Sequence, residues 1–287
     1  MKILSKLSIL TCALTLTLPA LAQDTLELKT EKISDSVYML SGVGKFTGGN
    51  IGLSIGDDGV AMIDNGIPDL LDVLKAEIAK TTDKPIDYLI NTHAHGDHTG
   101  NNVSFGGAGS RIISHQNLRR SLLNKNIDST GLPVLTFNDQ MTIHINGDAA
   151  KIMHFANAHT DGDGIVFFEQ ANVIHTGDIM FNGVFPFIDS SNGGSAVGMI
   201  AALKGIAEIA NDDTKIIPGH GPLATKADVI SSAAIIEDGL QIVSNMVADG
   251  KSDEEIKAAN PLAAYESFGS GFISTDRMID QLIHAAR

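Results

Sequence analysis

The sequence has almost no cysteine: Cys12 is the only one among 287 residues. It falls in an N-terminal stretch with the parts of an export signal. Lys2 and Lys6 give a basic start, Leu7 to Leu18 an apolar run, and Ala20-Leu21-Ala22 a small-x-small end. The apolar run is shorter than the roughly 20 residues that span a bilayer, and Thr11 is larger than the residue that usually precedes a lipid-carrying cysteine. Cleavage after Ala22 is therefore expected, removing residues 1–22 and releasing residues 23–287 to the periplasm or the outside. The mature chain would then have no disulfide and no thiolate metal ligand, whatever the redox state around it. Its stability must come from an ordinary apolar core, for which this length is ample.

Positive charge is the second shortage. Lys and Arg number 20 against 34 Asp and Glu; once Lys2 and Lys6 leave, 18 face 34 and the formal charge moves from −14 to −16. Such a surface repels phosphate backbones and anionic lipid, which argues against nucleic acid or membrane partners and leaves a small molecule as the expected one. Nor does any segment after the export signal look transmembrane, and no internal repeat or low-complexity tract is present.

What the chain does have is concentrated in residues 91–101, Asn-Thr-His-Ala-His-Gly-Asp-His-Thr-Gly-Asn. His93, His95, Asp97 and His98 put three imidazoles and a carboxylate within six positions, just after the apolar run Ile86 to Ile90. A lone histidine in a loop usually has a bland structural role. Four ligand-type side chains beside a buried strand are different, because unpaired they would be costly to bury, and metal coordination accounts for them economically. In an extended stretch His93, His95 and Asp97 would point one way and His98 another, an arrangement that serves two adjacent metal ions. Further donors are available at His159 in Asn-Ala-His-Thr-Asp-Gly-Asp, Asp178 in His-Thr-Gly-Asp-Ile and His220 in Pro-Gly-His-Gly-Pro. Each follows a strand-like run and sits where Gly, Asn or Pro breaks it, although Asp178 alone reads as a turn residue and His220 alone as a loop histidine between flexible glycines.

Elsewhere Val37 to Leu40, Ile51 to Ile55 and Val60 to Ile63 read as strands joined by tight turns, after a short exposed segment. Pro68 opens a helix with Leu70, Leu71, Leu74 and Ile78 on one face. Strands are expected at Tyr88 to Ile90, Ile112 to Ile113, Met141 to Ile145, Ile152 to Phe155, Ile165 to Phe168 and Val173 to Ile174. Helix starts are marked by Ser195, by Thr225 with Asp228 and by Ser252 with Glu255. The stretch from Asn182 to Gly194 is long for a connector and reads either as a loop on the substrate side or as plain surface. His115, His144 and His284 read as structural, and His154 and His175 as structural or as supports for nearby ligands.

The ordered set His93-x-His95-x-Asp97-His98, His159, Asp178 and His220 resembles the metallo-β-lactamase superfamily over nearly the whole mature chain. The resemblance implies an α/β fold, specifically a four-layer αββα sandwich formed by a single domain over residues 23–287. It implies two Zn2+ per chain, with iron or manganese as alternatives. His93, His95 and His159 would hold the first ion, Asp97, His98 and His220 the second, and Asp178 would bridge them. Asp97 would also orient the water that attacks a substrate carbonyl. Common β-lactamases of the family carry a cysteine where Asp178 stands and a lysine at the place of Phe181; another lactamase group has serine at the former. A bridging aspartate is the pattern of hydroxyacylglutathione hydrolases and acyl-homoserine lactonases, but the former act on a cytosolic thioester and the latter carry a tyrosine where Phe181 stands. An exported chain fits a β-lactam or related cyclic amide best, with a lactone or thioester as the alternative. Phe181, Phe185 and Phe187 could wall an apolar pocket or fill the core. A non-catalytic metal-binding protein would be marked by a missing ligand, and none of the seven is missing.

Overall fold

Two sheets lie face to face, each with helices on its outer side. The computed structural model describes residues 25–287, so the export signal expected over residues 1–22 lies outside the described residues. In the first sheet, β1 (Leu28–Lys32), β2 (Val37–Gly42), β3 (Ile51–Gly56) and β4 (Gly59–Ile63) form an antiparallel meander. Three parallel strands continue it: β5 (Tyr88–Ile90), β6 (Arg111–His115) and β7 (Leu135–Phe137). The second sheet consists of β8 (Gln140–Ile145), β9 (Asp148–His154), β10 (Gly164–Phe168), β11 (Val173–Phe181) and β12 (Lys215–His220), in that spatial order. Its neighbours are antiparallel except β11 and β12, which run parallel.

The layering follows from side chains alternating across each strand. Met62, Leu89 and Ile112 leave one face of the first sheet and pack against Leu70, against Leu74 of α1 (Leu71–Ile78) and against Phe105. Their chain neighbours Ile63, Ile90 and Ile113 leave the other face and meet Ile152, Val166 and Ile217 from the second sheet. Ile165, Ile174 and Ile216, adjacent in sequence to that inter-sheet layer, face outward onto α5 (Ala196–Ile209), α6 (Lys226–Ala248) and α8 (Thr275–Ala286). Strands covered on both faces must be apolar at every position, which is why these runs show no polar alternation. The αββα sandwich expected from the resemblance is the observed architecture. No helix among the described residues is long and apolar enough to cross a membrane.

The predicted caps form. Ser195 accepts from the Gly198 amide at the start of α5, and Thr225 with Asp228 closes a full capping box on α6. Ser252 and Glu255 close a second box on α7 (Asp253–Ala259).

Three local expectations are corrected. The segment before Val37 includes β1, an edge strand whose only buried residue is Leu28, so it offers no alternation to read. The run at Val173 does not stop at Ile174 but continues, wholly buried, to Phe181. The Thr-Gly that looked like a break is an irregularity inside β11: the register to β12 shifts on both sides of Gly177, whose φ is +52°. Finally, the extended chain after β5 ends at His95, and Gly96–Thr99 form one helical turn, α2. Asp97 therefore does not reach the cluster by strand alternation; it projects with His98 from the first turn of that helix.

Candidate metal centre

The seven predicted residues converge at one edge of the sandwich. His93 and His95 come from the loop after β5, Asp97 and His98 from α2, His159 from the β9–β10 turn, Asp178 from β11 and His220 from the end of β12. Their donor atoms form two sets, His93, His95, His159 and Asp178 in one, and Asp97, His98 and His220 in the other, each within 4.8 Å and able to hold a metal ion.

Asp178 faces both sets. Its Oδ2 lies 3.6 Å from His93 Nε2 and 3.5 Å from His159 Nε2, while its Oδ1 lies 3.1 Å from His98 Nε2 and 3.4 Å from His220 Nε2. Asp97 Oδ2 completes the second set at 3.5 Å from His98 Nε2 and 3.3 Å from His220 Nε2. In the first set His159 Nε2 and His95 Nδ1 stand 2.9 Å apart. His93 Nε2, His98 Nε2 and Asp178 Oδ1 are buried and have no hydrogen-bond partner. Orphaned buried polar atoms are rare and costly, and three of them turned toward one another fit a cation between them.

The opposite ring nitrogens are all engaged where the ring is deeply buried. His98 Nδ1 lies 2.7 Å from Asp64 Oδ2, and His159 Nδ1 2.7 Å from the Phe187 carbonyl. His95 Nε2 lies 2.8 Å from Asp189 Oδ2. His93 Nδ1 meets the Thr92 hydroxyl at 3.0 Å, and that hydroxyl donates to Asp64 at 2.7 Å. Such partners fix the tautomer and ring direction of a metal-binding imidazole. None of Asp64, Thr92 and Asp189 was found from the sequence. Asp64 follows a strand in Ile-Asp-Asn-Gly and takes φ +60°, and Asp189 stands in Phe-Ile-Asp-Ser-Ser-Asn. An acidic residue at a strand end or turn is too common a pattern to single out.

Two glycines make room for the cluster. A Cβ at Gly49 would overlap the His98 ring, and one at Gly219 would overlap Asp178 Oδ1. Gly219, beside His220, is thus needed for close approach of the chain and not for flexibility. His175, three residues before Asp178, accepts from the Gly177 amide and holds Asn50 O at 3.1 Å, supporting β11 where its register shifts. His154 stacks on His115, ring centroids 3.8 Å apart, away from the cluster.

The electrostatics divide the sets. Burial pushes His93 well below the usual histidine range and His159 down to about 4, with neighbouring imidazoles adding to the effect. Burial also opposes charge on His98 and His220, but Asp178 outweighs it. With Asp64 it raises His98 well above the usual range, and with Asp97 it raises His220 to about 9. Burial would raise Asp178, yet His98, His220 and His93 hold it well below the carboxylate range. In the absence of a cation, protons on His98 and His220 neutralise the carboxylates.

The cluster opens into a cleft of about 740 Å³ bounded by Asp97, Asp178, His95 and His220 on one side and by Phe46, Phe181, Val184, Phe185, Phe187 and Phe272 on the other. Phe181 stacks on His220 at 5.1 Å and Phe187 on His95 at 5.9 Å. Both readings of these rings hold, since Phe185 is also part of the core. The 182–194 stretch is a site loop: it supplies Phe187, its carbonyl and Asp189.

Comparison with known proteins agrees with the geometry. Residues 44–220 match the sequence profile described as the metallo-beta-lactamase superfamily. A Caenorhabditis elegans protein, "Beta-lactamase-like protein 2 homolog", is 24% identical over 68% of the chain, which spans 65% of that protein's length. "Metallo-beta-lactamase type 2" of Elizabethkingia meningoseptica is 28% identical over 58% of the chain and 68% of its own. Among solved structures, a metallo-beta-lactamase from Pontibacter korlensis aligns with a TM-score of 0.63 at 16% identity, covering 74% of this chain and 100% of that one. FIM-1 from Pseudomonas aeruginosa, in a mono-zinc form, gives 0.62 at 17%, covering 74% and 95%. At such identities the structural likeness is one of fold. The sequence match over more than half of the chain, together with the two donor sets, places the chain in the metallo-β-lactamase superfamily.

Proposed function

We propose that this chain is an exported hydrolase that binds two zinc ions and opens the ring of a β-lactam or a related cyclic amide. The observation that carries the two-metal reading is Asp178, one oxygen turned to each donor set. His93, His95 and His159 would hold one ion and Asp97, His98 and His220 the other, with Asp178 shared. When bound, such a pair supplies an activated water and a Lewis acid for the carbonyl. Asp97 is only part-buried and lines the cleft, so its carboxylate can accept the proton of an attacking water and orient it. Phe181 and Phe187 back His220 and His95, excluding water behind the reacting carbonyl. The basic and apolar segments of residues 1–22 support export.

None of the described residues lining the cleft is Lys or Arg. A β-lactam carboxylate held beside Phe181 would therefore lack a charge-assisted hydrogen bond of about 1.5–3 kcal/mol, roughly a ten- to hundredfold loss in kcat/KM, since the Arg277 guanidinium sits at the outer wall, over Phe272. The same lining favours a lactone, neutral beside its carbonyl, as the second reading. Turnover of a penicillin, a cephalosporin, a carbapenem and an acylated lactone, each with a chelator control, tests this. Slow, chelator-sensitive β-lactam cleavage is expected. No such turnover of any β-lactam would move the assignment to lactones, and rates near the diffusion limit would show that another residue binds the carboxylate.

A further inference from the structure

The geometry points to Phe272 as a substrate-selecting residue: the segment between α7 and α8 supplies a wall of the cleft that takes an aromatic arm on the substrate. This rests on the hydrolase reading above. Phe272 is 73% exposed, the most exposed large apolar side chain among the described residues, and the other exposed phenylalanine, Phe46 at 62%, lines the same cleft. A phenyl ring left in water is unfavourable unless something covers it, and both exposed rings stand where a substrate would enter. Phe46 stacks over His220 at 6.0 Å, while Phe272 meets edge-on, at 6.2 Å, the Phe187 ring that stacks on His95, so Phe272 adjoins the cluster through Phe187.

Phe272 is held in place. The Arg277 guanidinium lies over its ring at 4.7 Å from the centroid, and Arg277 Nη1 donates to its carbonyl at 3.2 Å. The segment is docked on the loop that carries Phe187. The Phe185 amide donates to the Phe268 carbonyl at 2.9 Å, and a Cβ at Gly271 would crowd Val184. Gln281 of α8 donates to the Pro186 carbonyl at 3.1 Å and accepts from the Ile188 amide at 2.7 Å. Phe272 lies beyond residue 220, where the family match ends. An aromatic arm would gain edge or face contacts there in addition to apolar burial.

Two compounds of one ring class that differ only in a phenylacetyl or an acetyl arm test this. The metal-loaded protein should favour the phenylacetyl compound in kcat/KM by about tenfold or more, mainly through KM. Phe272→Ala should remove most of that preference, and Phe272→Leu should retain part of it. Because the side chain is exposed, both variants should keep the parent circular dichroism. Calorimetric binding of the two compounds to protein stripped by a chelator should show the same preference and the same loss. Turnover with equal preference in wild type and Phe272→Ala would overturn the proposal and leave the hydrolase reading standing. If no ring class were turned over, the hydrolase reading would fall, and the proposal would be overturned with it unless the stripped protein still bound the phenylacetyl compound through Phe272.

Discussion

The two donor sets share Asp178 yet hold their protons differently. His93 and His159 are buried among other imidazoles, and burial keeps them neutral, His159 with a pKa of about 4. His98 is buried and His220 half-buried, but they face Asp178 Oδ1 and, respectively, Asp64 and Asp97, and they keep their protons, His220 up to about 9. Burial alone does not decide the charge of an imidazole; the position of the carboxylates does. His93 and His159 are ready for a cation at neutral pH, whereas a cation entering the second set must displace protons.

Removing the shared residue should have the largest effect. Loss of a support to a metal ligand costs about 10- to 100-fold in affinity or activity, so losing the shared donor itself in Asp178→Ala should lower chelator-sensitive kcat/KM by about a hundredfold or more. Asp178→Cys, which restores a donor, should recover part of it. Full activity in Asp178→Ala would mean that the aspartate is only a structural residue of β11.

A smaller effect separates the sets by pH. Below about 9, His220 must lose a proton to bind metal, so affinity for the second ion should fall roughly tenfold per proton displaced for each pH unit lowered. His93 and His159, already neutral, release no proton to the first ion, so its affinity should depend less steeply on pH. Competition with a chromophoric chelator between pH 6 and 8.5 measures both, and parallel slopes would erase the distinction. Metal-free stability gives the converse sign. The raised pKa of His220 stabilises the fold below its unfolded value near 6.5, and that contribution is lost as pH rises through about 9. The melting temperature of stripped protein should therefore decline across that window.

The smallest effect is expected at Asp189, whose carboxylate reaches only His95 among the seven. Asp189→Asn keeps the shape but weakens the acceptor facing His95 Nε2, and should lower affinity at the first set by about tenfold. A metal titration at fixed pH reads this directly, and an unchanged affinity would reduce Asp189 to the cap of its own turn.

The sequence was most informative where polar residues crowd an apolar strand: His93 to His98 stand out because packing has no use for them there. His159, Asp178 and His220 are weak signals singly, and only the family resemblance gathered them into sets. The apolar runs gave the strands but not the two faces, since Ile63 and Met62 look alike in sequence and end in different cores. Asp64, Asp189 and Phe272 were not legible, because each becomes functional through a contact with a segment distant in sequence. The α2 turn was missed because Gly96 separates it from a chain that is extended up to His95.

Elemental analysis of metal-replete wild-type protein and Asp178→Ala tests the central claim, that one carboxylate joins two metal sites, most directly. Two ions per chain in the wild type and fewer than one in the variant are predicted. A wild type that settles at one ion or none, or a variant that keeps two, would contradict it.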